Sequence, residues 1–121
     1  MRVYRLAPTA LPPPEAFKLH RLDIVRDVQS PWLGINLDSG NFHTPDPYKD
    51  FAECVPYALN VQLKAELDIG PKKKQPADLK RHAQILRDGG YQGWVALEYE
   101  AAEDSAVAVP RYLAELKALF G

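Results

Sequence analysis

The hexapeptide Leu59-Asn60-Val61-Gln62-Leu63-Lys64 alternates apolar and polar residues without a break. A strand places successive side chains on opposite faces, so Leu59, Val61 and Leu63 share one face and Asn60, Gln62 and Lys64 the other. The same alternation recurs on either side of it. Leu33, Ile35 and Leu37 alternate with Gly34, Asn36 and Asp38, and Val95, Leu97 and Tyr99 alternate with Ala96, Glu98 and Glu100. Stretches of helical character lie between these segments, which predicts βα units and a parallel sheet. Strands of such a sheet ordinarily read as continuous apolar runs because both faces are covered. A polar face that gains charge toward each strand's carboxyl end therefore marks a cavity, and in (β/α) proteins that end is where ligands bind.

Working outward, Asp46-Pro47 reads as an N-cap with proline at the first helical position. The helix over 47–55 should bury Phe51, Cys54 and Val55. A preceding helix from Ala16 carries Phe17, Leu22, Val25 and Val28 on one face and ends at Ser30-Pro31. A helix over 77–88 places Leu79, His82, Ile85 and Leu86 together and stops at Gly89-Gly90. The last helix is capped within Glu103-Asp104-Ser105 and carries the stripe Val109, Tyr112, Leu113, Leu116 and Phe120, with Pro110 in its first turn. Residues 1–15, with Pro8 and Pro12 to Pro14, read as an extended arm ahead of a domain spanning 16–121. The stretch from Ala65 to Pro76, with Gly70-Pro71 and Lys72 to Lys74, reads as a loop that hangs over the strand ends.

The chain has 121 residues, 46% of them hydrophobic, with fifteen Lys and Arg against sixteen Asp and Glu. A net charge of −1 gives no pull toward nucleic acid or an anionic membrane. Cys54 is the only cysteine, which excludes an internal disulfide and a multi-cysteine zinc site. No apolar run approaches the roughly 20 residues of a membrane span, and no signal-peptide stretch opens the chain, so a soluble, cytoplasmic protein is expected.

Asp38, Gln62 and Glu98 lie at the carboxyl ends of the three strands with matched parity. Two carboxylates and a carboxamide oxygen are hard donors, suited to Mg²⁺ or Mn²⁺. Lys64 has the same parity as Gln62 and is a candidate for substrate contact or proton transfer. Asn36 and Asn60 either bind substrate hydroxyls or satisfy each other. His43 and Lys72 to Lys74 read as solvated loop residues, and His82, Phe42 and Trp94 as packing residues; His20 carries no signal.

The segments Gly34 to Phe42 (GINLDSGNF), Asp46-Pro47-Tyr48, Pro56-Tyr57-Ala58, Asn60 to Lys64 (NVQLK) and Gly90 to Glu100 (GYQGWVALEYE) resemble the carboxyl-terminal part of the xylose isomerase-like TIM barrels, the sugar phosphate isomerase/epimerase family. The resemblance covers roughly residues 17–121. It implies that the three strands are the sixth, seventh and eighth of a barrel, and that the fold class is a partial (β/α) barrel. It further implies metal-assisted aldose–ketose isomerisation or epimerisation of a sugar or sugar phosphate. Asp38 and Glu98 match two of the family's metal ligands, and Asn41 and Lys64 fall among its substrate contacts, with Glu98 and Lys64 placed for catalysis. Two positions depart from the pattern: Gln62 stands where the family has a histidine ligand, and Asn41 stands where a histidine often follows the turn. The remaining family ligand belongs to a fifth strand outside this sequence, so weak metal binding and an incomplete site are expected. A complete barrel needs at least about 200 residues, and strand spacings here bracket the roughly 31 residues per unit of an eight-unit barrel. Three strands leave open edges, which predicts self-association, a complementary barrel fragment, or a truncated reading frame; the alternative function is a non-catalytic half-barrel. Endonuclease relatives of the same barrel use His-rich clusters and basic surfaces, and three His with net charge −1 do not match them.

Overall fold

A computed structural model describes residues 22–69 and 73–121. Three strands, β1 (Ile35–Asp38), β2 (Ala58–Lys64) and β5 (Val95–Glu98), form a parallel sheet in the order β1-β2-β5. Helix α1 (residues 22–28) precedes β1, α2 (Pro47–Cys54) joins β1 to β2, α3 (Leu79–Asp88) leads to β5, and α4 (Ser105–Phe120) follows it. The expected alternation of helices and parallel strands is therefore present. The proline-rich arm, Phe17, His20 and Lys72 lie outside the described residues.

The sheet divides its side chains by parity. Ile35, Leu37, Val61 and Leu63 are buried and join Leu22 of α1, Phe51 and Cys54 of α2, Leu79 and Leu86 of α3 and Leu116 of α4 in one core. The opposite face carries Asn36, Asn60, Gln62, Lys64 and Glu98. Register holds this face in rows: Asn36 pairs with Asn60, Asp38 with Gln62, Gln62 with Ala96, and Lys64 with Glu98.

One irregularity changes the reading of β2. Ile35 pairs with Ala58 and Asn36 with Asn60, so Leu59 is an extra residue opposite β1. The parity flips there. Ala58 packs against the core, while Leu59 is 60% exposed and leans over Gly34, where a Cβ would overlap its side chain and meet the Tyr57 carbonyl oxygen at 2.8 Å. Leu33, expected on the core face, lies before β1 and is exposed.

The stretch after Lys64 also differs from the expected loop. Here β3 (Glu66–Asp68) pairs antiparallel with β4 (Lys74–Pro76). Ala65 and Leu67 are buried, and this apolar anchorage turns a segment without visible periodicity into a hairpin beside the carboxyl ends of the strands.

Helix ends follow local chemistry. Asp46 accepts from the Lys49 amide at 3.1 Å with Pro47 at the first helical position, as expected. Asp78 caps α3 through the Arg81 amide at 2.9 Å, and Gly90 leaves that helix with φ +69°. Asp104 caps α4 through the Ala106 amide at 2.9 Å. Because α4 starts at Ser105, Pro110 lies in its second turn, past the first-turn position expected for it. Of the expected α4 stripe, Leu116 is buried and Tyr112 packs on the core, joined by Ala108 and Leu119, while Leu113 and Phe120 are exposed.

Candidate functional site

At the end of β1, Asp38 turns the chain. Its Oδ1 accepts from the Gly40 amide at 2.8 Å and its Oδ2 from Asn41 Nδ2 at 3.1 Å, which closes the short helical turn Ser39–Asn41. Ser39 is buried in that turn, and its Oγ accepts from the Lys64 backbone amide at 2.9 Å. The end of β1 is thereby tied to the end of β2.

Lys64 is the centre of the site. Its ammonium donates to Glu100 Oε2 at 2.5 Å and to Glu98 Oε1 at 3.3 Å, and Asp38 Oδ2 lies 3.9 Å away. Only 16% of the Lys64 side chain is exposed, and its aliphatic stem passes over Gly40. Burial works against the charge, but the Glu100 hydrogen bond, the nearby Asp38 and the Glu98 contact outweigh it and hold the Lys64 pKa above its ordinary value of 10.5. The hydrogen bond from Lys64 holds the Glu100 carboxyl below the usual range. At neutral pH Lys64 is a cation and not a base.

A second group lies deeper along the strands. Asn60 Nδ2 donates to Asn36 Oδ1 at 2.8 Å, and Asn36 Nδ2 donates to Gln62 Oε1 at 3.1 Å. This amide row crosses β1 and β2 and meets the charged group at Asp38. Thus Asn36 and Asn60 do satisfy each other, and each retains further donor or acceptor capacity toward the open face.

Two cavities adjoin these groups. One of about 110 Å³ is lined by Lys64, Glu100, Gly40, Asn41 and His43 together with Glu66, Asp68 and Lys74 of the hairpin. The other, a cleft of about 370 Å³, runs along β1 between Val25 of α1, Leu33, Ile35, Asn36, Asp38 and Gln62.

Of the residues expected in the site, Asp38, Asn41, Lys64 and Glu98 come together, whereas Gln62 sits in the amide row. Strand register is the reason: the β2 residue level with Glu98 is Lys64, two positions beyond Gln62. The expected Asp38, Gln62 and Glu98 metal set is therefore not assembled around one point. Among the described residues, no group of three or more His, Cys, Asp or Glu side chains is arranged to hold a metal ion. The carboxylates converge on an ammonium instead, so the donor set does not fit a divalent cation. His43 lines the first cavity and is exposed; the turn around it gave no signal separating it from a solvated loop histidine. Glu66 and Asp68 were not expected in the site, because their placement depends on the hairpin.

No helix among the described residues is long and apolar enough to cross a membrane. Compared with known proteins, the chain matches no family model. No curated protein matches it either.

Proposed function

We propose that the chain forms three adjacent βα units of a TIM barrel similar to the xylose isomerase-like sugar phosphate isomerases and epimerases, and that its polar face binds a polyhydroxylated carbonyl compound. The observation that carries this reading is the graded polar face: neutral amides along β1 and β2, then an ion cluster at the carboxyl ends of all three strands. Amide groups suit hydroxyls as both donors and acceptors. The ion cluster supplies a carboxylate, Glu98, and a fixed cation, Lys64, within 3.3 Å of each other.

In this reading the Glu98 carboxylate takes the proton from the carbon beside the carbonyl. The C–H electron pair forms the new C=C bond, the carbonyl π pair moves to oxygen, and the Lys64 ammonium stabilises that oxyanion. Return of the proton to the former carbonyl carbon, with the neighbouring hydroxyl proton passing to the oxyanion as that C–O bond becomes the new carbonyl, gives the isomer. Its return to the original carbon on the opposite face, after the enediolate turns over, gives the epimer. No oxidant or further reactant is needed. Three carboxylates against one ammonium leave these four groups formally at −2, so a substrate phosphate would lie away from them, toward Lys73 and Lys74 of the hairpin.

Proton NMR in D₂O with a panel of aldoses, ketoses and their phosphates tests the proposal. The expected result is loss of the α-proton signal of one substrate class with wild-type protein and its retention with Glu98→Gln. Absence of both exchange and saturation-transfer binding across the panel would overturn it.

A second reading, a half-barrel that completes itself by association, is favoured by the sheet edges. Among the described residues β1 and β5 each pair with β2 alone, and the cleft along β1 has an apolar wall of Val25, Leu33 and Ile35. The two readings are compatible, since association would enclose the polar face.

A further inference from the structure

The carboxylates of Asp38, Glu98 and Glu100 come from the ends of two strands and the segment after β5, and all three face one atom, Lys64 Nζ. Such an arrangement is costly unless a cation neutralises it. The cation is already part of the chain. Lys64 reaches its place by a route that the backbone keeps open: at Gly40, a Cβ would overlap Lys64 Cδ and stand 2.8 Å from Cε. Gly40 has no positive φ, so its conformation does not demand glycine. The space it leaves is what the lysine stem occupies. The Lys64 backbone is held independently, by Ser39 Oγ and by the β2 ladder, so the side chain is aimed from a rigid base.

We infer that Lys64 is the resident cation of this site in place of a divalent metal, and that Gly40 is the positioning residue that seats it. The inference rests on the functional reading above only for the role given to the cation; the seating itself follows from the geometry. A bound metal would have to displace the ammonium from all three carboxylates at once. Without the ammonium, the same carboxylates carry a formal −3 and attract a hard cation electrostatically.

The test uses Mn²⁺ alone as the probe, with water-proton relaxation as the readout, and ¹⁵N-detected lysine ammonium signals as a second readout. Wild-type protein is expected to leave millimolar Mn²⁺ free and to show one slowly exchanging ammonium signal, removed by Lys64→Met. Lys64→Met is expected to raise Mn²⁺ affinity at least about tenfold, since a unit charge a few ångströms away is removed at a partly buried site. Gly40→Ala is expected to abolish the slow ammonium signal in a protein that still folds by circular dichroism, because the added Cβ takes the space of the Lys64 stem and only that flexible side chain must move. Wild-type binding of Mn²⁺ with loss of the Lys64 signal, or a Gly40→Ala protein whose Lys64 signal is unaltered, would overturn the inference. Neither readout involves sugar turnover. Failure of the isomerase proposal and failure of the lysine assignment are thus separate results.

Discussion

Acidification from pH 7 to pH 4 is expected to remove about 3 kcal/mol of folding stability through His82 alone. The side chain is 1% exposed and lies between Tyr48 of α2, with ring centroids 4.7 Å apart, and Phe51, at 4.9 Å. Among the described residues, its buried Nδ1 has no hydrogen-bond partner. Burial lowers its pKa from 6.5 to about 4, with Arg81 adding to the effect and the Asp78 carbonyl and carboxylate opposing it only in part. The sign follows from which state binds the proton. Between about pH 6.5 and 4 the unfolded chain is protonated at this histidine and the folded chain is not, so unfolding gains as pH falls. The contribution of neutral His82 is complete above its unfolded pKa and is lost on the way down to its folded one. Urea unfolding of wild type and His82→Leu at pH 7, 5.5 and 4 measures it. The wild-type curve should fall away from that of the leucine variant as pH drops, and parallel pH dependences would refute the assignment. Exposed carboxylates such as Glu100 titrate equally in both proteins and cancel in the comparison.

Phe51→Ala is expected to cost about 3–5 kcal/mol, a large part of the roughly 5–15 kcal/mol that holds a domain of this size together. Phe51 is fully buried and meets Phe42 edge to face at 6.1 Å as well as His82. It is the largest fully buried side chain among the described residues, and α2 brings it against both the sheet and α3. Removing the ring leaves a cavity that the surrounding strands and helices cannot collapse to fill. The same cavity lies beside His82, so water admitted there would solvate the imidazole and make the acid dependence shallower. A urea midpoint within experimental error of wild type would show that α2 is not seated as described. The two effects are coupled through one ring contact, and the double variant with His82→Leu should therefore be less destabilised than the sum of the singles.

Much of the fold was legible because its determinants are local. The alternation in 33–38, 59–64 and 95–100 reflects the period of a strand, and Asp46-Pro47 and Gly89-Gly90 act on backbone groups within a turn of themselves. The assignments that failed are those in which a distant segment intervenes. Leu59 and Leu33 follow strict alternation in sequence, yet the bulge against β1 puts Ala58 on the core side. In α4 the spacing places Tyr112 and Leu116 on the core but misplaces the exposed Leu113 and Phe120, because the helix's rotation depends on how it meets Tyr99 and α3, with Tyr99 and Tyr112 ring centroids 5.9 Å apart. The hairpin β3–β4 carries no periodic signal; buried Ala65 and Leu67 define it only once there is a core to enter.

The candidate site divides along the same line. Strand parity alone determined that Asn36, Asn60, Gln62, Lys64 and Glu98 share a face, since every second residue of a strand points the same way whatever surrounds it. Parity is silent on how far along its strand each residue meets its neighbour. Only the tertiary structure decided that Lys64 stands level with Glu98, with Asp38 3.9 Å from its ammonium and Gln62 left among the amides. The energy that selects this pairing comes from burying Leu37, Val61 and Leu63 in a shared core and from the backbone ladder between strands distant in sequence.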